Sequence, residues 1–234
     1  MYGGLSMTPP KQRAPRGAVV IATYNEAATI GGICAALVPE WDVFICDDSS
    51  PDGTAQIAAI MPHVTIISRP GKWGIASAYR TLFDAVLSDP NAYPLILQMD
   101  AGGTHPLEAI PAMLAKAQQG AGLVIGARQF TFKGRRTVIS LGARALMRAI
   151  GVKAPDVTTG FRLWRWSTLM TAYRAVGESS TRGFAFQLEF LWAASRAGTV
   201  IESVPVPYRL TNSSFKPSML TEGLSTVGRL ALRR

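Results

Sequence analysis

The chain has 234 residues, 48% of them hydrophobic and 17% charged, with no low-complexity bias, which suits one domain with a sizeable core and excludes a disordered or fibrous protein. A formal net charge of +9 favours an anionic partner, and no run approaches the roughly 18 to 20 apolar residues of a membrane span. The two cysteines, Cys34 and Cys46, have no metal-ligand spacing and no secretory signal ahead of them, so they are expected as reduced core residues of a cytosolic protein.

Residues 1–16, rich in Gly, Pro, Lys and Arg and without periodicity, form a basic lead-in. Residues 18–22 predict a buried first strand that ends in Thr23-Tyr24-Asn25-Glu26, and a helix follows to Leu37; Asn25 either caps that helix or meets a nucleotide. Residues 41–46 predict the second strand, ending in Asp47-Asp48-Ser49-Ser50-Pro51-Asp52-Gly53-Thr54. Two adjacent carboxylates in a crevice repel each other unless a cation, ribose hydroxyls or a base edge engages them. After the Pro51-Asp52-Gly53 turn a helix runs to Met61, and residues 64–68 predict the third strand. The loop Arg69-Pro70-Gly71-Lys72-Trp73-Gly74 is basic and opens a helix over 75–87; it either turns the chain or receives a phosphate at the helix amino end.

The next strand, Leu95-Ile96-Leu97-Gln98-Met99, is apolar without alternation, as a parallel strand covered on both faces would be. It ends abruptly in Asp100-Ala101-Gly102-Gly103-Thr104-His105. Ligands of open α/β sheets gather at the carboxyl ends of such strands, which places Asp100 in a pocket; the alternative is a cap for the structure that begins at His105. The alternation of strands and helices predicts right-handed crossovers and a mostly parallel sheet. Thr-Tyr-Asn-Glu in place of Gly-x-Gly after the first strand, and the lack of a Walker lysine motif, argue against a dehydrogenase and a P-loop NTPase.

Residues 107–119 predict a helix and 122–125 a strand that ends in Gly126-Ala127-Arg128. Helical spacing over 137–150, with Arg144 and Arg148 continuing the basic run Lys133, Arg135 and Arg136, gives a face that is either solvated or meets phosphate. Residues 156–165 read as a pocket segment, too polar at the start for a core strand. The helix over 183–194 carries Glu189, which is costly there unless paired. Prolines 205 and 207 restrict residues 204–209 to an edge strand. Beyond a loop over 211–219 with Lys216 at its middle, residues 220–234 predict a short basic amphipathic helix that lies on a membrane or packs on the domain.

Six segments, Ala22-Thr23-Tyr24-Asn25-Glu26, Asp47 to Thr54, Asp100-Ala101, Gly126-Ala127-Arg128, Thr159-Gly160-Phe161-Arg162-Leu163 and Phe186-Gln187-Leu188-Glu189, resemble in that order family 2 glycosyltransferases. The likeness is greatest to those acting on dolichyl or polyprenyl phosphate with mannose or glucose, and it extends from Ala18 to Lys216. It implies an α/β fold of the GT-A type over 17–216, between the lead-in 1–16 and the helix 217–234. By position, Thr23, Tyr24 and Glu26 would line the nucleotide pocket with Lys72, Asp48 would contact base or ribose, and Asp100 would face the diphosphate and its Mg2+ or Mn2+. Arg128 would bind phosphate, Gln187 and Glu189 would flank the donor sugar, and Arg209 and Lys216 would belong to a loop closing over the diphosphate.

The chain departs from the family pattern in places. The family's central Asp-x-Asp, followed two residues later by Gln, here has Gly102 and Thr104 in its later positions, so metal binding rests on Asp100 and substrate phosphates. His105 either supplements them or is a hydrogen-bonded turn histidine. The family's glycine after Lys72 is Ala76 and its arginine before Gly142 is Leu141, which leaves Lys133, Arg135, Arg136 and Arg144 for the acceptor phosphate.

The resemblance implies inverting transfer of a hexose from a nucleotide-sugar of the GDP-mannose or UDP-glucose type to a polyprenyl phosphate. The protein would attach peripherally to the cytoplasmic membrane face or through a separate membrane subunit. One alternative is a hydroxyl acceptor on a glycan or peptide, with Glu189 or Asp156 as base; another is a relic that binds nucleotide without turnover. Nucleic acid is not expected, because no recognised motif or aromatic-basic interleaving is present.

Overall fold

The computed structural model describes residues 17–37, 41–88, 93–129, 135–179, 181–207 and 218–233. Among them seven strands form one sheet: β1 (Gly17–Thr23), β2 (Trp41–Asp47), β3 (Val64–Ser68), β4 (Leu95–Gln98), β5 (Leu123–Gln129), β6 (Arg162–Arg165) and β7 (Ile201–Pro207), in the order β3-β2-β1-β4-β6-β5-β7. β1 to β4 are mutually parallel, β6 runs against both β4 and β5, and β7 returns parallel to β5. The mostly parallel α/β sheet read from the sequence is therefore present, with β6 as its one reversed strand among the described residues.

The strands look uniformly apolar because both faces are covered. Along β1, Ala18 and Val20 point into one core while Val19 and Ile21 point into the other, all fully buried. On the first face α3 (Ile75–Leu87), α6 (Trp166–Val176) and α7 (Phe186–Arg196) interlock through aromatic rings; Tyr79 stacks on Phe186 at 5.1 Å and Phe83 meets Phe190 at 5.2 Å. Truncating such a buried ring to alanine costs about 3–5 kcal/mol. On the second face α1 (Ala27–Ala36) and α4 (Ile110–Gln118) bury Ile30, Cys34, Met113 and Leu114. Cys34 and Cys46 are free and buried, and burial pushes both thiols up to about 11.

Several elements differ from their sequence reading. Residues 156–165 end in a central strand, β6, because its two arginines find backbone partners. Arg162 donates to the carbonyls of Gln187 and Val157, and Arg165 to those of Ala121 and Ala117. Helix α6 has no counterpart in that reading. The edge strand β7 begins at Ile201 rather than 204, and a 3-10 turn at Leu107–Ala109 precedes α4. Completing the set are α2 (Thr54–Ala59), α5 (Arg135–Ala149) and α8 (Ser218–Leu232); α8 buries Thr226, Val227 and Leu230 against the domain and exposes Leu220, Leu224 and Leu232.

Candidate active site

The chain leaves β1 for β2 and β3 on one side and returns to β4 on the other, so the carboxyl ends of β1 and β4 form the crevice of a topological switch point. Three predicted segments meet there: Thr23 to Glu26, Asp47 to Thr54, and Asp100 to His105.

The first two segments brace each other. Buried Asp47 accepts from Thr23 Oγ1 at 2.9 Å, from the Ser50 amide at 2.9 Å and from Ser50 Oγ at 2.6 Å. The opening amides of α1 reach across as well: Asn25 N donates to Ser50 Oγ at 3.0 Å, Glu26 N to Thr54 Oγ1 at 2.9 Å and Ala27 N to Asp52 Oδ2 at 3.0 Å. Asn25 itself is no cap, contrary to one of its sequence readings; it occupies the left-handed region at φ 61° and turns the chain from strand to helix. Asp48 is buried in an ion pair, with Arg69 Nε at 2.6 Å and Nη2 at 2.5 Å from Oδ1. The expected repulsion of Asp47 and Asp48 is thus relieved within the protein, and among the described residues no hydrogen bond reaches Asp48 Oδ2. At the rim the two loops touch, with Lys72 Nζ 3.6 Å above the centre of the exposed Tyr24 ring.

Asp100 stands beyond the end of β4 with its side chain 35% exposed. Its amide donates to His105 Nδ1 at 3.1 Å, so the imidazole proton sits on Nε2, which faces Asp100 Oδ2 at 3.5 Å. The ring stacks on Phe161 at 4.9 Å. Burial holds His105 below the ordinary imidazole pKa; Asp100 opposes that shift and Arg128 adds to it. His105 is therefore a neutral turn histidine that positions Asp100, with Nδ1 engaged by the Asp100 amide and Nε2 turned towards the carboxylate. Gly160 lets Asp100 pack closely, since a Cβ there would stand 2.9 Å from Asp100 Oδ1. Glu26, half-buried across the crevice, has its carboxyl pKa raised, first by burial and then by Asp100 and Asp52, against a lowering bond from Thr29. Among the described residues no three His, Cys, Asp or Glu side chains converge as a ready metal cluster.

On the far side of His105, Arg128 donates to Asp156 through Nε at 2.6 Å and Nη2 at 2.9 Å, and Nη2 also reaches Thr158. Burial raises the Asp156 pKa, but Arg128 and the amides of Thr158 and Arg128 outweigh it and hold the carboxyl below its ordinary value. Arg128, Asp156, Ser140 and Arg144 line a cavity of about 290 Å³. An adjoining one of about 330 Å³ shares Arg144 and adds Arg148 and Lys153.

Gln187 and Glu189 lie at the start of α7. Gln187 is 1% exposed and neither atom of its side-chain amide has a partner among the described residues, while its carbonyl is held by Arg162 Nη1 at 2.8 Å. Arg162 is fully buried, and burial pushes its pKa down to about 9. Glu189 accepts from Ser179 Oγ at 2.7 and 2.8 Å, from Thr181 Oγ1 at 2.9 Å and from Arg229 Nη2 at 3.4 Å. Sequence reasoning asked for such a partner but did not find Arg229. It also missed Glu222, the one acid of α8, which accepts from the amides of Arg182 and Gly183 at 3.0 and 2.7 Å. A lone acid in an otherwise basic helix was the available signal.

Thr23, Tyr24, Glu26, Asp48, Lys72 and Asp100 thus share the crevice, Arg128 and Arg144 share the neighbouring cavity, and Gln187 and Glu189 line neither cavity but contact Arg162 and the 179–181 segment with Arg229. Lys133, Arg209 and Lys216 lie outside the described residues, as do the side chains of Arg135 and Arg136.

The family described as Glycosyl transferase family 2 matches residues 18–169. The chain is 30% identical over 236 residues to the polyprenol monophosphomannose synthase of Mycolicibacterium smegmatis, covering 93% of this chain and 88% of that protein. It is 32% identical over 231 residues to the undecaprenyl-phosphate mannosyltransferase of Micrococcus luteus, covering 91% and 93%. Among solved structures it resembles the glucosyl-3-phosphoglycerate synthase from Mycobacterium tuberculosis in complex with Mn2+, UDP-glucose and phosphoglyceric acid, with a TM-score of 0.69, 18% identity, and coverage of 92% of this chain and 79% of that one. The same synthase is also known with Mg2+ and UDP.

Proposed function

The chain belongs to glycosyl transferase family 2 and has the GT-A fold of its structural neighbours, and on that premise we propose that it moves a hexose, with inversion, from a nucleotide-sugar to a polyprenyl phosphate at the cytoplasmic membrane surface. The observation that carries this reading is the adjacency of two differently built sites. An acid-lined crevice with Asp48 and Asp100 at strand ends suits a nucleotide and its metal-bridged diphosphate, and the cavity beside it presents Arg144, with the Arg128–Asp156 pair in its wall, to an anionic acceptor. The donor is of the GDP-mannose or UDP-glucose type.

In this reaction an acceptor phosphate oxygen attacks the anomeric carbon and the nucleoside diphosphate leaves from the opposite face. A phosphate monoester has its second pKa near about 6, so it arrives ionised and needs no strong base. What the chain must supply is alignment and charge. Lys72 at the crevice rim and Arg144 in the cavity wall supply positive charge, and Asp48 Oδ2 takes a hydroxyl or base N–H.

The residues present fit a hard divalent cation, since Asp100 offers a partly exposed carboxylate and the space above Gly102 is filled by no side chain closer than Glu26 among the described residues. Asp100 would hold Mn2+ or Mg2+ together with substrate oxygens, and the ion when bound neutralises the leaving diphosphate. A hydroxyl acceptor has less support. It requires a carboxylate base, and the two residues read from the sequence for that role are occupied, Asp156 by Arg128 and Glu189 by Ser179, Thr181 and Arg229.

Peripheral attachment fits the exposed leucines of α8, and no helix among the described residues is long and apolar enough to cross a membrane. The test is incubation of the purified chain with radiolabelled GDP-mannose or UDP-glucose and a polyprenyl phosphate in detergent. Label from one donor is expected in the organic phase, dependent on the lipid. Label appearing only on a soluble sugar, with none extracted from either donor, would overturn the proposal.

A further inference from the structure

The loop after β4 offers a divalent cation a single carboxylate, Asp100, because Gly102 and Gly103 follow it. That loop lies against the amino end of α1, where Thr29 Oγ1 donates to the Ala101 carbonyl at 2.6 Å. Glu26, the residue before α1, faces the space that Gly102 leaves: a Cβ built at 102 would stand 4.0 Å from each Glu26 carboxylate oxygen and, chain neighbours aside, nearer to no other described atom. An aspartate there would carry its carboxylate one bond, about 1.5 Å, beyond that Cβ, so the Glu26 oxygens border the same volume. Backbone and side chain of Glu26 are held differently. Its amide is fixed by Thr54 Oγ1 at 2.9 Å, whereas among the described residues its carboxylate has only a distant contact, 3.5 Å, from Thr29 Oγ1. A hard cation takes oxygen ligands and is commonly held by one or two carboxylates plus phosphate oxygens.

We propose that Glu26 is the second carboxylate of the donor's cation site, reaching from the end of β1 into the space opened by Gly102 to bind, with Asp100 and the nucleoside diphosphate, one Mn2+ or Mg2+. The inference rests on the donor-site reading above. It makes the ion a tie across the switch point, joining the loops after β1 and β4.

The experiment is a Mn2+ titration of the full chain in the presence of UDP or GDP, with free Mn2+ read by electron paramagnetic resonance and sugar transfer assayed in parallel. Wild type is expected to take up Mn2+. Glu26→Gln and Asp100→Asn should each weaken uptake by about tenfold or more, and the double variant E26Q/G102D, which moves the acid onto the loop, should regain much of it. The assignment is overturned if E26Q titrates like wild type, if E26Q/G102D stays as weak as E26Q, or if wild type binds nucleotide without taking up Mn2+. A wild type that transfers sugar yet gives any of those results loses this assignment and keeps the proposed function. One that takes up Mn2+ as expected but transfers no sugar to lipid keeps the assignment and loses that function.

Discussion

Arg128 and Asp156 form a bidentate pair whose carboxylate is 2% exposed, so the two must be judged together. Arg128→Ala leaves a buried, unpaired carboxylate and is expected to cost about 3–5 kcal/mol in urea denaturation. Asp156→Asn, which keeps hydrogen-bonding capacity, should cost less. His105 gives a pH signature. Its folded pKa is lowered, chiefly by burial, so the folded chain keeps it neutral while the unfolded chain protonates it as pH falls below about 6.5. Stability from this group is therefore complete above that pH and declines as pH falls through it towards the lower folded value. The melting temperature of wild type should drop on acidification through that window, and His105→Asn should flatten the drop. At this scale the sequence exposed Asp48, Asp100 and Arg128, because a polar residue at the end of an apolar strand stands out. It concealed what engages them, since the His105 tie to a backbone amide and the Arg69 pairing to Asp48 link residues that no spacing rule connects.

The parallel strands and their crossover helices were legible element by element, since β1, β2, β3 and β4 are apolar runs flanked by turn residues. β6 was not. A strand whose ends are Arg162 and Arg165 looks polar, and only the carbonyls waiting for those guanidinium groups make it a core element. The C-terminal helix α8 was legible from its leucine spacing, but its docking was not, because that depends on Glu222 meeting two amides of another loop. That loop in turn backs the donor side, with the Ala76 amide donating to the Arg182 carbonyl at 3.2 Å. Glu222→Ala should lower stability by about 1–3 kcal/mol and raise KM for the nucleotide-sugar more than it lowers kcat, as chemical denaturation and donor kinetics would read. Equal falls in kcat and kcat/KM would instead place the 181–183 loop at the reacting atoms.

Taken whole, the molecule carries a formal charge of +9, with Arg144, Arg148 and Lys153 around adjoining cavities and Leu220 and Leu224 exposed on α8. Vesicles containing anionic lipid should bind it, with affinity falling as salt rises; binding to neutral vesicles alone, insensitive to salt, would assign attachment to the leucines. The proposed reaction requires donor nucleotide and metal to meet at the carboxyl ends of β1, β2 and β4. The most direct measurement is the anomalous scattering of Mn2+ in crystals grown with UDP or GDP. The predicted result is a single peak against the Asp100 carboxylate and the diphosphate, with the nucleoside beside Asp48; nucleotide seated instead among Arg144, Arg148 and Lys153, with Asp100 untouched, would contradict it.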